Sequence, residues 1–368
     1  MPNLMMPTNP RYQPKSLVPY FGYDNTTRFA VEVELAVMKT LGDLKKIPEA
    51  DIKLLTPEIE KELLAITTSE VDRVETTDTP DYGKATKHDV RALVRIMQAK
   101  LPLPLRRWVH VPLTSYDVLD TARALMYARA HAEVVLPKTD ALMWALVAQV
   151  RKYAATPQIG RSHGQHALPV TVGFWFATIL GRVSYCRAYM NLLAGASWGK
   201  ISGAVGAYNA QVGLGLYEGV GEKSFEYLVL ERLGLVPAPI STQILPPEPL
   251  ADRRFLYTLL SGALAQLGRD CRHLMRTEIG EVAEPFEQGQ VGSSTMAHKR
   301  NPVSFENIEG MFISNKNMFA NVFDTLVSEH QRDLVGSSVA RDFPAIVVKL
   351  VYQLERLLFG LADVVDRV

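Results

Sequence analysis

The sequence predicts an all-α protein, a bundle of long helices carrying a smaller helical N-terminal domain. Three observations predict it. Apolar residues recur at helical spacing through most of the chain, as in Phe29, Val33, Val37 and Leu41, each four apart. Strand-like alternation is scarce, with a few short strands expected only near Val205 to Leu216. Several candidate helices reach roughly 25–40 residues, longer than most globular folds use, which fits a bundle whose members bury one another.

In chain order, the first long candidate runs from Asp117 to about Ala155, interrupted at most near Pro137. Others run from about Thr171 to Lys200, Leu250 to Glu284, Val303 to Val327, and Arg341 to the end. The 60–115 segment, rich in Thr, His and charge, separates the N-terminal part from the bundle. We expect domains at 1–112 and 113–368. The last helix stops without a Gly or Pro terminator, so a small C-terminal domain is expected to be missing or disordered.

Composition bounds the function. The 368 residues are 47% hydrophobic and 21% charged, with a net charge of +1. An uncharged balance gives no general grip on nucleic acid or an anionic membrane, and leaves room for a local cationic pocket. Cys186 and Cys271 fit no metal or redox spacing and read as reduced, semi-buried residues of a cytoplasmic protein. The polar, Pro-rich start, Met1 to Pro10, has no apolar core of a signal peptide. The longest uncharged stretch, Ser162 to Gly181, contains His163, Gln165, His166 and Pro169. A dry bilayer penalises these groups, so it reads as a buried helix preceded by a polar loop, in a soluble chain.

Three segments are dense in polar, Gly and Pro residues. In Leu113-Thr-Ser-Tyr-Asp-Val-Leu-Asp-Thr121, Thr114 or Ser115 is an N-cap, and Asp117 and Asp120 sit in the first turn. The segment is a good helix start or a carboxylate site, and alone it does not choose. In Gly160-Arg-Ser-His-Gly-Gln-His-Ala-Leu-Pro169, two histidines stand three apart with no companion ligand set for a metal. A loop histidine is usually structural or solvated, although flanking glycines let a ligand approach. The third, Gly292-Ser-Ser-Thr-Met-Ala-His-Lys-Arg-Asn-Pro302, is the most specific. A plain interhelical turn needs Gly and Pro, not this run of hydroxyls and cations.

The third segment resembles the signature loop of the fumarase/aspartase superfamily of lyases, and the first two resemble its other shared regions, in order. The resemblance covers about residues 10–345. Flanking residues resemble the adenylosuccinate lyases within it. Arg11-Tyr12 resembles their phosphate-binding pair. Lys87-His88-Asp89-Val90, Trp108-Val109-His110, Gly199 to Gly206 and Ile240 to Gln243 resemble further family segments. Gln331-Arg332-Asp333 and Ser337 to Arg341 resemble a second phosphate-gripping element, a role that suits the guanidinium fork.

The resemblance implies a C–N lyase releasing fumarate from a nucleotide. Ser293 is implied as the base, with Ser294 as the fallback if the register differs by one. Lys299, Asn301, Thr114 and Ser115 would hold the aci-carboxylate, and His163 would protonate the leaving nitrogen, paired with Glu306. His88 would assist near the phosphate, Gln243 would contact the succinyl carboxylate, and His110 joins the substrate-binding set. Arg11, Tyr12, Arg332, Ser337 and Arg341 would bind phosphate. No metal or organic cofactor is implied, and the partner is a homotetramer whose sites draw on three subunits. Four positions depart from the family pattern. Ala297 stands for the usual Pro, Tyr116 for a small hydroxyl residue, Ser162 for Thr and Ala340 for Glu. The alternatives are a carboxymuconate-cycloisomerase-like enzyme, which needs no phosphate grip, an argininosuccinate lyase, whose second region is absent, and a non-catalytic homologue. A helical nucleic-acid-binding module fits the neutral charge poorly.

Overall fold

The structure, a computed structural model, describes residues 6–194, 197–217, 224–284, 295–296 and 299–361. Helices dominate it, in agreement with the all-α expectation. The N-terminal part contains α1 (Tyr23–Asp43), α2 (Thr68–Thr76) and α3 (Asp89–Lys100). The bundle contains α4 (Ser115–Ala130), α5 (Leu136–Lys152) and α6 (Val172–Ala194), followed by the shorter α7 (Phe225–Arg232). It is completed by α8 (Glu248–Leu274), α9 (Val303–Asp324) and α10 (Pro344–Gly360). Helices α5, α6, α8, α9 and α10 pack in a closed ring, each against the next, and α4 lies along α1.

The amphipathic logic is visible in α1, whose Phe29, Val33, Val37 and Leu41 are all buried. Helix α10 is different. From Ala345 to Leu354 every residue is buried, as expected of a helix that is surrounded rather than laid on a surface. Its one fully buried amide, Gln353, is satisfied by partners on two other helices. It donates to the carbonyls of Ile308 at 2.7 Å and Ser261 at 3.3 Å, and accepts from Ser261 Oγ at 2.6 Å. A core polar group with all its partners fixes the relative rotation of α8, α9 and α10 more narrowly than apolar packing alone.

The long segment expected from Asp117 begins at Ser115 and runs to Lys152 with one interruption, a π-helical turn over His131–Val135. The cause is Pro137. It lacks an N–H and its ring crowds the carbonyl one turn earlier, and a wider turn relieves both. Within that turn His131 is buried and stacks on Tyr257, with Nδ1 3.0 Å from the phenol oxygen. Burial, with Arg253 and Arg187 nearby, pushes its pKa from the ordinary 6.5 down to about 3. The native protein therefore refuses a proton that the unfolded chain accepts as pH falls from 6.5 towards 3, and stability falls over that window. Between pH 7 and 4.5 this group alone should cost about 2.5 kcal/mol. His131→Gln should show that much less acid sensitivity in urea unfolding, and an unchanged pH slope would refute the assignment.

Other boundaries differ from expectation. The helix expected to reach Glu284 ends at Leu274, where the chain turns and passes through Gly280 at φ +63°. The strands expected near Val205 to Leu216 are absent. That stretch forms turns and a five-residue helix, Asn209–Gly213. Strands occur instead as an antiparallel hairpin, β1 (Pro157–Ser162) with β2 (Gln165–Thr171), and as a two-residue parallel pair, β3 (Trp198–Gly199) with β4 (Val236–Pro237). The polar loop expected before α6 is this hairpin. Helix α6 itself is only partly covered. Among the described residues no helix is long and apolar enough to cross a membrane.

Cys186 and Cys271 are free thiols, and both are buried rather than semi-buried. Burial raises Cys186 to about 11 and Cys271 well above the ordinary thiol value, so neither is a ready nucleophile. Large apolar side chains remain exposed on the outer helices, including Trp144 on α5, Phe174, Tyr185 and Leu192 on α6, and Ile313 and Phe323 on α9. Such a concentration exceeds the scatter of single exposed apolar residues on a monomer.

Candidate active site

Helix α4 starts where the first polar segment was expected to cap it. Thr114 is extended (φ −106°, ψ 163°), and its N–H donates to Asp117 Oδ2 at 2.8 Å, one half of a capping box. This arrangement leaves the Thr114 and Ser115 side chains half-buried at the helix N-terminus. Ser115 Oγ lies 3.4 Å from His88 Nε2. His88 caps α3, its Nδ1 accepting the Arg91 N–H at 3.4 Å, and this turns Nε2 towards Ser115. Two residues 27 apart in sequence are thereby joined in one site.

The turn before α4 is held by a residue that sequence reasoning missed. Glu34 on α1 is fully buried and accepts from the His110 N–H at 2.9 Å and from His110 Nδ1 at 2.7 Å. His110 stands at φ +68°, next to the cis Val111–Pro112 bond. Glu34 so orients the imidazole that Nε2 is the nitrogen left for a ligand. An acidic residue on the apolar face of α1 was the available signal.

A second missed element is the buried ion pair between Asp117 and Lys200, both with fully buried side chains. Asp117 Oδ1 also accepts the Gly203 N–H at 3.1 Å, and Lys200 Nζ donates to the Gly203 carbonyl at 3.2 Å. Thr121 Oγ1 closes a two-way link with the Lys200 backbone at 2.9 and 3.0 Å. Glu226 on α7 accepts the Ile201 N–H at 2.7 Å and the Tyr208 hydroxyl at 2.6 Å. Burial holds its carboxyl above the ordinary range. Gly206 sits at φ +73° with the Ser241 carbonyl where a Cβ would go, so only glycine fits. The Gly199–Gly206 segment is therefore rigid, and it supports the N-terminus of α4 from behind.

Gln243, Tyr116 and Arg332 form the adjoining wall. The Arg332 guanidinium lies 3.5 Å from the centre of the Tyr116 ring and donates to Gln243 Oε1 at 3.2 Å. The departure at Tyr116 thus supplies a platform for the arginine. Ser337 lines the cleft beside Arg332. Arg341 is exposed and, with His88, lies within electrostatic reach of Glu75, whose carboxyl burial raises. Arg11 is exposed in the short helix Pro10–Tyr12, and the Tyr12 ring packs edge-on against Tyr352 at 5.3 Å between centres.

His163 and Gly164 form the two-residue tip of the β1–β2 hairpin, at φ +55° and +75°, as tight hairpin turns require. The tip is exposed, and the hairpin is anchored at its base. Glu281 accepts from Arg161 at 2.5 Å and from Gln158 at 2.9 Å, and these contacts hold its carboxyl below the ordinary range even though burial opposes them. Of the third segment, Ser293 and Ser294 lie outside the described residues, as does Ala297. Lys299 and Arg300 are exposed, and Asn301 leads into α9, whose Ser304 N–H donates to both oxygens of Glu284 at 3.1 Å. Glu306 is exposed on the first turn of α9 and His163 at the hairpin tip, and no ion pair between them occurs among the described residues. The single chain brings together Thr114, Ser115 and His88, and Gln243 with Arg332. It leaves His163 projecting. Among the described residues no cluster of metal-ligating side chains occurs.

A family described as lyases matches residues 25–314. The chain belongs to this lyase family. Within the fumarase/aspartase superfamily, it is 33% identical to the adenylosuccinate lyase of Pyrococcus horikoshii over 341 residues, 91% of this chain and 70% of that one. It is 31% identical to the adenylosuccinate lyase of Bacillus subtilis over 348 residues, 94% of this chain and 75% of that one. That of Aquifex aeolicus is 33% identical over 338 residues, 90% and 71% of the two chains. Among solved structures, 3-carboxy-cis,cis-muconate lactonizing enzyme from Pseudomonas putida superposes with a TM-score of 0.80 at 23% identity, covering 96% of this chain and 76% of that one. A fumarate lyase from Mesorhizobium sp. BNC1 gives 0.75 at 24% identity, covering 96% and 77%. At these identities the two structures establish the fold that the lyase family shares with this chain.

Proposed function

We propose that this lyase cleaves adenylosuccinate to AMP and fumarate, and that it acts likewise on the succinylated aminoimidazole carboxamide ribotide of purine synthesis. The similarity to adenylosuccinate lyases over nine-tenths of the chain supports the substrate. The observation that carries it in the geometry is Arg332, seated on Tyr116 and bonded to Gln243, beside the hydroxyls that open α4. A nucleotide dicarboxylate needs a phosphate grip and a carboxylate grip at fixed separation, and a muconate needs only the second.

In this reading Ser293 removes the proton next to the succinyl carboxylate. A serine hydroxyl is too weak an acid to do so unaided, so Lys299 and loop N–H groups lower the cost of the alkoxide. Lys299, Asn301, Thr114 and Ser115 hold the aci-carboxylate, at a helix N-terminus whose dipole favours the developing charge. His163 then protonates the leaving nitrogen as the C–N bond breaks. Glu306 pairs with that imidazole, and His88 orients the nucleotide with Arg11, Tyr12, Ser337 and Arg341. Ser294 remains the fallback base, and His110 contributes Nε2 to binding.

The exposed apolar residues of α5, α6 and α9 support a homotetramer in which the projecting His163 of one subunit enters the site of another. The same assembly would bring Glu306 to His163. The two inert thiols suit a reducing, cytoplasmic setting. Turnover of a panel tests the substrate. Adenylosuccinate should be cleaved at least a hundredfold more efficiently than its dephosphorylated nucleoside, since charge-assisted phosphate contacts are worth about 3 kcal/mol or more together. Equal turnover of the two would remove the phosphate grip from the account.

A further inference from the structure

The β1–β2 hairpin presents His163 at its tip, yet little packing holds the tip in place. Neither strand makes more than marginal contact with another element except where β2 runs into α6. The base is tied by the Val172 N–H to the Thr156 carbonyl at 3.0 Å and by the Gly173 N–H to the Tyr153 carbonyl at 2.9 Å. The chain from Thr156 to His163 spans about 20 Å when extended at roughly 3.3 Å per residue, so a tilt of about 3° at the base displaces the tip by about 1 Å. A reacting group misplaced by about 1 Å can cost about a hundredfold in rate.

Among the described residues, Glu281 is the only side chain outside the hairpin that hydrogen-bonds to it, through Arg161 and Gln158. Its own support is fixed. The Glu281 N–H donates to the Leu274 carbonyl at 2.9 Å and the Gly280 N–H to the Arg276 carbonyl at 2.8 Å, closing the end of α8, and Val282 next to it is buried in the core. Gln158 and Arg161 stand three apart, and in a regular strand they would point to opposite faces. The register breaks between them, where Ala167 and Leu168 of β2 stand opposite Gly160. A bulge of this kind adds local twist, and here both side chains converge on one carboxylate. The Leu168 carbonyl lies 2.9 Å from where a Cβ on residue 160 would be, so glycine suits this crossing.

We propose that Glu281 is a positioning residue for proton transfer at His163, clamping the hairpin to the end of α8 through Arg161 and Gln158 and so fixing where the imidazole is presented. Two attachment points on one strand restrict both the tilt and the rotation of the hairpin, which a single ion pair would not. Both partners of the ion pair are about one-fifth exposed, at 19% and 20%, so its loss bears on geometry more than on global stability. The inference rests on the reading of His163 as the general acid, and it touches neither the substrate nor the reacting atoms itself.

Glu281→Gln keeps the shape of the side chain and removes its charge. With adenylosuccinate it should lower kcat about tenfold to a hundredfold and leave KM within about threefold. Arg161→Gln should do the same, and the double variant should lose no more than either single one, because both act through one link. An unaltered kcat, a loss confined to KM, or losses that multiply in the double variant would each overturn the proposal. Amide hydrogen exchange gives a readout that needs no turnover. Residues 158–171 should exchange at least about tenfold faster in Glu281→Gln, while α8 and α10 keep their protection. Exchange unchanged in the hairpin would overturn the clamp whatever the substrate. Should Glu281→Gln not fold, Arg161→Gln carries both measurements with the same expectations. If the unaltered protein does not cleave adenylosuccinate, the substrate reading fails, and hydrogen exchange alone decides whether Glu281 holds the hairpin.

Discussion

His163→Ala is expected to lower turnover of adenylosuccinate by about two to four orders of magnitude, the usual contribution of a positioned general acid. The fold should survive. His163 is exposed at the hairpin tip, and the anchors of β1 and β2 are Glu281, Arg161 and Gln158 rather than the histidine. Because His163 stands at φ +55°, the substitution adds some backbone strain, and His163→Asn, which tolerates that region, is the better-controlled variant. Steady-state kinetics on both, with far-ultraviolet circular dichroism as the folding control, checks the expectation. A loss in KM alone, with kcat intact, would assign His163 to binding instead of proton transfer.

Lys200→Met should destabilise the protein by about 3–5 kcal/mol, because it leaves the Asp117 carboxylate buried without its cation. Asp117 also caps α4 through Thr114 and receives the Gly203 N–H, so the damage reaches the site as well as the fold. The double variant Asp117→Asn with Lys200→Met should recover part of the loss, since a neutral amide no longer demands a counter-charge. Chemical denaturation of the three proteins measures this directly. A single variant within about 1 kcal/mol of the parent would mean that the pair is dispensable.

These two predictions differ in how legible their residues were. His163 lies in a ten-residue segment whose composition alone marks it as unusual. Lys200 and Asp117 lie 83 positions apart, and nothing local says that they meet. The same holds for Glu34 and His110, 76 apart. Helical periodicity reports which face of a segment is buried, but not which distant segment covers it. It served well for α1 and α9, and for the break at Pro137, where a single residue type dictates the outcome.

The hairpin β1–β2 escaped the reading for a physical reason. Most of β2 is exposed, so neither strand shows the alternation that a half-buried strand must have. The one local signal was the His163-Gly164 pair, two residues suited to the positive φ of a tight turn. Near Val212 the opposite error arose. Alternating apolar residues suggested strands, but Gly203, Gly206 and Gly215, all at positive φ, turn the backbone instead. The end of α8 was overrun because the turn after Leu274 depends on Gly280, six residues farther on. Of the site, the residues that touch the N-terminus of α4 were readable as polar segments, and their rigid backing of buried charge was not.

The central claim is a C–N cleavage that yields fumarate from adenylosuccinate. The most direct test is proton nuclear magnetic resonance of the purified protein with that substrate, following the fumarate olefinic signal and the AMP adenine signals together. The account predicts equal amounts of fumarate and AMP at all times, with both signals abolished in Ser293→Ala. Intact adenylosuccinate after prolonged incubation with a folded, oligomeric protein, or product formed undiminished by Ser293→Ala, would contradict it.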